Sequence, residues 1–433
     1  LSATLVGVLG IALMVGLIAF GVPIAFAMGA AGGIGLFVLE GPSAALAHLA
    51  LIPWDEGRNF VLVTIPLFVL MGQLVYHTGL ASDLFDAVRT WIGWVPGGMA
   101  VTAVLACALF GAVTGSSLAT VATMGSIVMP EMSRLSYDRK LATGALAASG
   151  TLGILIPPSI IFVFYGVMTE TSIGSLFIAG VVPGILVALV FAGIILVRCV
   201  ADPTLGPAGP RASWGERLRT SARILPLALL FLLVVGGLYA GIFTPTESAG
   251  AGCMGVLAMA LVTGKMKSTG IRRALVDTVN VTAMIFAVIV GGYLVARFLS
   301  LTGVTEAVVD GLLAMELSRV AFLGMLMVLF VMLGMFLDVF GMLVLTIPFV
   351  MPVVAGLGID PVWFGVFVVM MAELALVTPP IGANVFVMHR IATNVSMEEI
   401  FRGVVPFALG VLGVVVVLVF FPVLALWLPG LMD

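Results

Sequence analysis

The chain has 433 residues, of which 62% are hydrophobic and only 9% charged. Soluble domains carry about 25% charged residues, so this composition excludes a soluble globular protein and points to a polytopic membrane protein. A net charge of −3 gives no basic surface for nucleic acid, and Cys107, Cys199 and Cys253 lie scattered in apolar runs without a CxxC, as buried hydrophobes rather than disulfide or metal partners.

A helix needs about 20 apolar residues to cross a bilayer. The opening run "LVGVLGIALMVGLIAF" reads as a first span, not a cleaved signal. Apolar runs between charged or turn-rich breaks place crossings at 3–22, 24–39, 60–77, 141–168, 179–200, 224–242, 248–264, 276–300, 361–391 and 404–428. The stretches 99–131 and 320–352 are too long for one crossing and are interrupted by Gly and polar residues, so they read as re-entrant helical hairpins. Segments 80–95 and 304–317 are amphipathic and too polar to span, and read as connectors on the headgroup layer. The segment 198–223 is the longest polar stretch and divides the chain in two. In "IFTPTESAG", Thr244, Pro245 and Glu247 have the spacing of a capping box that opens a helix.

The fold class expected is therefore an all-α membrane protein with about ten crossings and two re-entrant hairpins. On this path fifteen of the eighteen Lys and Arg residues, including Lys265 and Lys267, share one side. Arg58, Arg297 and Arg319 fall on the other. Positive residues mark the cytoplasmic side, so both termini are expected to be periplasmic.

The two halves repeat. Met129-Pro130 recurs as Met351-Pro352 and Pro157-Pro158 as Pro379-Pro380, both 222 residues later. "AGVVPGIL" and "RGVVPFAL" follow in the same order. An odd number of crossings between matching landmarks makes the repeats inverted. Inverted repeats with broken helices near the midplane are the architecture of secondary transporters.

Four breaks interrupt apolar runs at comparable depth: "FGAVTGSSLATVAT", "VMLGMFLDVFGMLVLT", "GTLGILIPP" and "ELALVTPPIGANVF". Helix ends exposed there offer carbonyls to a cation and N–H groups to a carboxylate. Thr114, Gly115 and Ser116, with Gly153, Ile156 and Pro158, are candidates for one cation site. By the repeat, Gly334, Asp338, Ala375, Thr378 and Ile381 are candidates for a second. Ser117, Ser159 and Asn384 are candidates for the substrate carboxylate. Oxygen donors without a Cys or His cluster suit sodium, with protons the other candidate. Against this, Ser and Thr in membrane helices mostly bond their own backbone or a neighbouring helix. Asp338 stands out because an acid at membrane depth is costly and usually functional. Glu373 reads as a capping or paired group, and Phe162, Phe164 and Tyr165 as packing.

"GAVTGSSLATVATMGSIVMPEM", "GTLGILIPPSIIFVFYGVMTETSIGSLFIAGVVPG", "GIFTPTESAG" and "TPPIGANVFV" together resemble the large membrane subunit of the tripartite ATP-independent periplasmic (TRAP) transporters, over nearly the whole chain. The resemblance implies a sodium-driven elevator-type importer of the bacterial inner membrane. It implies scaffold helices at 1–60 and 224–275, transport halves at 61–200 and 276–433, and a cytoplasmic linker at 201–223. It further implies a small four-helix membrane subunit, separate or fused upstream, and a periplasmic substrate-binding protein that delivers an organic acid such as a dicarboxylate or a sialic acid. No enzymatic activity and no cofactor are implied, sodium acting as the coupling ion. A carboxylate–sodium symporter working without a binding protein is the nearest rival. A membrane hydrolase using Ser116 or Ser117 lacks a His at matching depth, and a channel has no need of inverted hairpins.

Overall fold

The computed structural model describes residues 2–431 except 265 and 267. Lys265 and Lys267, counted above on the cytoplasmic side, and the terminal residues Leu1, Met432 and Asp433 therefore lie outside the described residues. Helices account for nearly all regular structure, and no strand occurs among the described residues. Cys107, Cys199 and Cys253 are free and buried.

Three elements differ from the sequence expectation. Residues between the second and third crossings form a helix, Pro42–Arg58, started by Pro42 in its first turn, where the missing N–H costs nothing. The polar linker contains the helix Trp214–Arg223, N-capped by Ser213 and without a buried residue. Its Arg217 lies over the rings of Trp91 and Trp214, at 5.4 and 5.1 Å. The crossing expected at 276–300 is a 35-residue helix, Ser268–Thr302. Arg272 and Arg273 suggested a loop, yet in a helix they fall on an exposed side while Ala274 and Thr278 are buried.

By length and composition six helices can cross a membrane, or eight if two bent pairs are counted, against the ten expected. Ala3–Ala19 and Ile24–Glu40 are apolar but have only 17 residues each. The second broken helix is split into pieces of 15 and 9 residues. The capping box is present: Glu247 N donates to Thr244 Oγ1 at 3.3 Å and Thr244 N to Glu247 Oε2 at 2.9 Å.

Two groups of helices build the molecule. In one, Ile24–Glu40 and Thr64–His77 pack along Ser268–Thr302, and Thr64–His77 also along Pro245–Thr263. In the other, two helical hairpins meet two broken helices. The hairpins are Gly98–Thr114 with Ser117–Arg134, and Arg319–Gly334 with Val339–Gly356. The broken helices are Arg139–Leu155 with Ile160–Thr169, and Pro361–Ala375 with Ala383–Ile391.

Each hairpin packs on the leading half of its own broken helix. Its second arm packs on the restarted half of the other one: Ser117–Arg134 on Ala383–Ile391, and Val339–Gly356 on Ile160–Thr169. The long helices exchange likewise, Ile173–Ala201 packing on Pro361–Ala375 and Met397–Phe420 on Arg139–Ser149. This packing is reciprocal between the halves, as the 222-residue repeat leads one to expect.

Candidate functional site

Both Pro-Pro landmarks sit in breaks of helices, and both bonds are cis. The first broken helix bends by 43°. It restarts at Ile160 because Ser159 caps it, accepting from Phe162 N at 3.4 Å while donating to Ile154 O at 2.5 Å. Ser159 is fully buried, so this hydroxyl serves the backbone on both sides of the break.

Opposite that break lies the tip of the first hairpin. Gly111 and Gly153 bring the two backbones into direct contact, with no room for a side chain on Gly111 and little on Gly153. Gly115 turns the tip at φ +60°, and a Cβ there would stand 2.8 Å from the carbonyl oxygen of Pro158. Only glycine meets both demands without strain. Ser116 then caps the second arm through Ala119 N.

Oxygens collect around this contact. Thr114 Oγ1 and Thr120 Oγ1 are 3.2 Å apart, and Thr120 donates to Ser116 O at 2.7 Å. A Cβ on Gly153 would lie 3.0 Å from Thr120 Oγ1 and 3.1 Å from Ser116 O. Thr114, Gly115, Ser116, Gly153 and Pro158 thus come together as the sequence suggested. Ile156 directs its side chain elsewhere, against Gly184 and into an apolar cavity of about 690 Å³. Thr120 joins the cluster although the sequence reading passed over it. Its signal was the position one helical turn after Ser116, where a threonine hydroxyl reaches the carbonyl four residues back.

The second break repeats part of this. Gly334 meets Ala375 directly, as Gly111 meets Gly153. Asp338 caps the second hairpin arm, accepting from Gly341 N at 3.0 Å, at the position equivalent to the Ser116 cap. It sits at the hairpin tip, exposed over part of its surface while its capping carboxylate oxygen is partly buried. The Thr378 hydroxyl is buried without a hydrogen-bond partner, and Ile381 is exposed. Among the described residues no hydrogen bond links Asp338 to Thr378 or Ile381.

Ser117 and Asn384 meet across the halves. Asn384 Nδ2 donates to Ser117 Oγ at 2.8 Å and to Ala147 O at 3.0 Å, and Ser117 Oγ lies 3.0 Å from Asn384 Oδ1. Both residues are buried. At the related junction the contact is apolar, the Phe164 and Phe340 rings meeting edge-on at 5.1 Å. No group of three or more His, Cys, Asp or Glu side chains able to hold a metal ion occurs among the described residues.

Paired hairpins and broken helices on a helical scaffold define a multi-pass membrane transporter, and solved transporters share the fold. The YdaH transporter of Alcanivorax borkumensis superposes with a TM-score of 0.59 at 16% identity, covering 90% of each chain. The family described as "Tripartite ATP-independent periplasmic transporter, DctM component" matches residues 11–424, and the chain belongs to it.

Among curated relatives, the C4-dicarboxylate TRAP transporter large permease protein of Pseudomonas aeruginosa is 34% identical, over 89% of this chain and 90% of its own length. The sialic acid large permease protein of Vibrio cholerae is 31% identical, over 86% of this chain and 87% of its own. The isethionate permease protein of Oleidesulfovibrio alaskensis is 30% identical over 95% of this chain but only 64% of its own length. These relatives are permease subunits, and this chain is a transporter permease, not an enzyme.

Proposed function

We propose that the chain couples inward movement of Na⁺ to uptake of an organic acid across the bacterial inner membrane. The observation that carries this reading is the oxygen cluster of Thr114, Ser116 and Thr120 against the first break, with a second hairpin–break contact at Gly334 and Ala375. Hydroxyl and carbonyl oxygens at helix ends suit a small hard cation.

One Na⁺ is assigned to Thr114, Gly115, Ser116, Gly153, Ile156 and Pro158. The other is assigned to Gly334, Asp338, Ala375, Thr378 and Ile381. The relatives named above are called after C4-dicarboxylate, sialic acid and isethionate, each of which carries an anionic carboxylate or sulfonate. Such a group suits the N-terminal helix ends near Ser117, Ser159 and Asn384.

The hairpins and broken helices move as the transport domain against scaffold helices at 1–60 and 224–275. Ten crossings and two re-entrant hairpins place the repeats in inverted orientation, with both termini periplasmic. A small four-helix membrane subunit completes the scaffold, and a periplasmic binding protein delivers substrate to the outer face. Coupling arises if Na⁺ orders the hairpin tips that the substrate needs, so that each ligand favours the other.

Uptake into proteoliposomes containing the permease, its small subunit and its binding protein tests this. Uptake is expected only with an inward Na⁺ gradient and only with binding protein present. Equal rates with and without the gradient would end the sodium reading. Full uptake without binding protein would favour the independent symporter.

A further inference from the structure

Between residues 320 and 391, three buried side-chain oxygens have no hydrogen-bond partner: both carboxylate oxygens of Glu373 and the hydroxyl of Thr378. All three lie on one six-residue stretch, where the leading half of the second broken helix ends. Glu373 is fully buried, and its helix is buried at every position from Trp363 to Ala375. No ion pair reaches Glu373 among the described residues. Arg319, at the far end of this assembly, lies over the Trp363 ring at 5.2 Å. The helix end itself carries partial negative charge, which adds to the carboxylate instead of offsetting it. A carboxyl buried in this way is neutralised either by a proton or by a bound cation, because desolvation of the bare charge is not otherwise repaid.

The repeat supplies an internal comparison. Thr151 stands 222 residues before Glu373, is also buried, and donates its hydroxyl to Ala148 O at 2.7 Å. The first break fills this place with a neutral group that satisfies itself. The second fills it with an acid that has no hydrogen-bond partner among the described residues, so packing alone does not call for Glu373.

We propose that Glu373 is a second anionic ligand, with Asp338, of a monovalent cation, Na⁺, at the second break, with the unpartnered Thr378 hydroxyl as a further oxygen donor. This rests on the cation-coupling reading above and adds to it a second acid at the break that Asp338 already makes the charged one. The first cation site is neutral, the second charged, and the second therefore binds Na⁺ more tightly.

The test is thermal melting of the purified full chain in nanodiscs, titrated with NaCl against choline chloride at constant ionic strength. In the wild type the melting temperature is expected to rise with Na⁺. E373Q, and E373T as the repeat-matched substitution, are expected to need about tenfold more Na⁺ or to lose the tighter component, as loss of a charged contact implies. E373D, which keeps the charge, is expected to keep the response. No Na⁺ effect on the wild type overturns sodium coupling itself. A wild-type response reproduced unchanged in E373Q and E373T overturns only the role of Glu373. A measurement on the wild type alone stands beside these variants. Na⁺ is expected to protect Glu373 from labelling by an apolar carbodiimide, read by peptide mass spectrometry, and labelling that Na⁺ leaves unchanged overturns the proposal.

Discussion

Asn384 leaves the restarted part of the second broken helix and spends its amide on the first half of the molecule, on Ser117 Oγ and Ala147 O. A buried amide satisfied this way fixes how the halves sit, since each unmade bond in an apolar interior costs free energy. Asn384→Leu leaves both partners without it and is expected to destabilise the chain by about 1–3 kcal/mol. The measurement is the melting temperature of the purified protein, and an unchanged melt would remove the bridge from the account. The sequence marked Ser117 and Asn384 as polar residues beside breaks. Nothing in it paired two residues 267 positions apart. Thr120 was missed for a related reason: a threonine within an apolar helix ordinarily bonds its own backbone, as this one does, and only the approach of Gly153 sets its oxygen beside the break.

The helical elements were more legible than their contacts. Gly and Pro interruptions in long apolar runs located both hairpins and both broken helices, because such residues disrupt helix geometry wherever the chain goes. Polar linkers were read less well. The helix Trp214–Arg223 lies within a stretch rich in Gly and Pro, and it packs on Leu80–Ile92 through Trp91, a partner distant in sequence. Asp338 shows how an element can recast a residue. The sequence suggested an acid at membrane depth, and the fold gives that acid a second role as the N-cap of a hairpin arm. Asn caps as well as Asp, so Asp338→Asn is expected to melt within about 0.5 kcal/mol of the wild type. Loss of its charge is expected to raise the Na⁺ needed for half-maximal uptake. A large fall in stability with unchanged Na⁺ dependence would leave Asp338 as a cap alone.

For the whole molecule, the uneven distribution of Lys and Arg predicts orientation. In a chain lacking its three native cysteines, Ser213→Cys is expected to react with an impermeant maleimide only from the cytoplasmic face. Asp55→Cys is expected to react only from the periplasmic face. Labelling from the opposite faces would invert the assignment. Composition, the order of apolar runs, the position of their breaks and the 222-residue repeat were all determined by the sequence, because each is a property of residue type and spacing along the chain. The tertiary structure alone decided that each hairpin embraces the other half's restarted helix. It also decided that Gly111 and Gly334 admit their breaks at contact distance, and that Glu373 is buried without a hydrogen-bond partner among the described residues. Those outcomes depend on close packing between segments hundreds of residues apart, and hydrophobic periodicity states only which residues avoid water, not which of them meet.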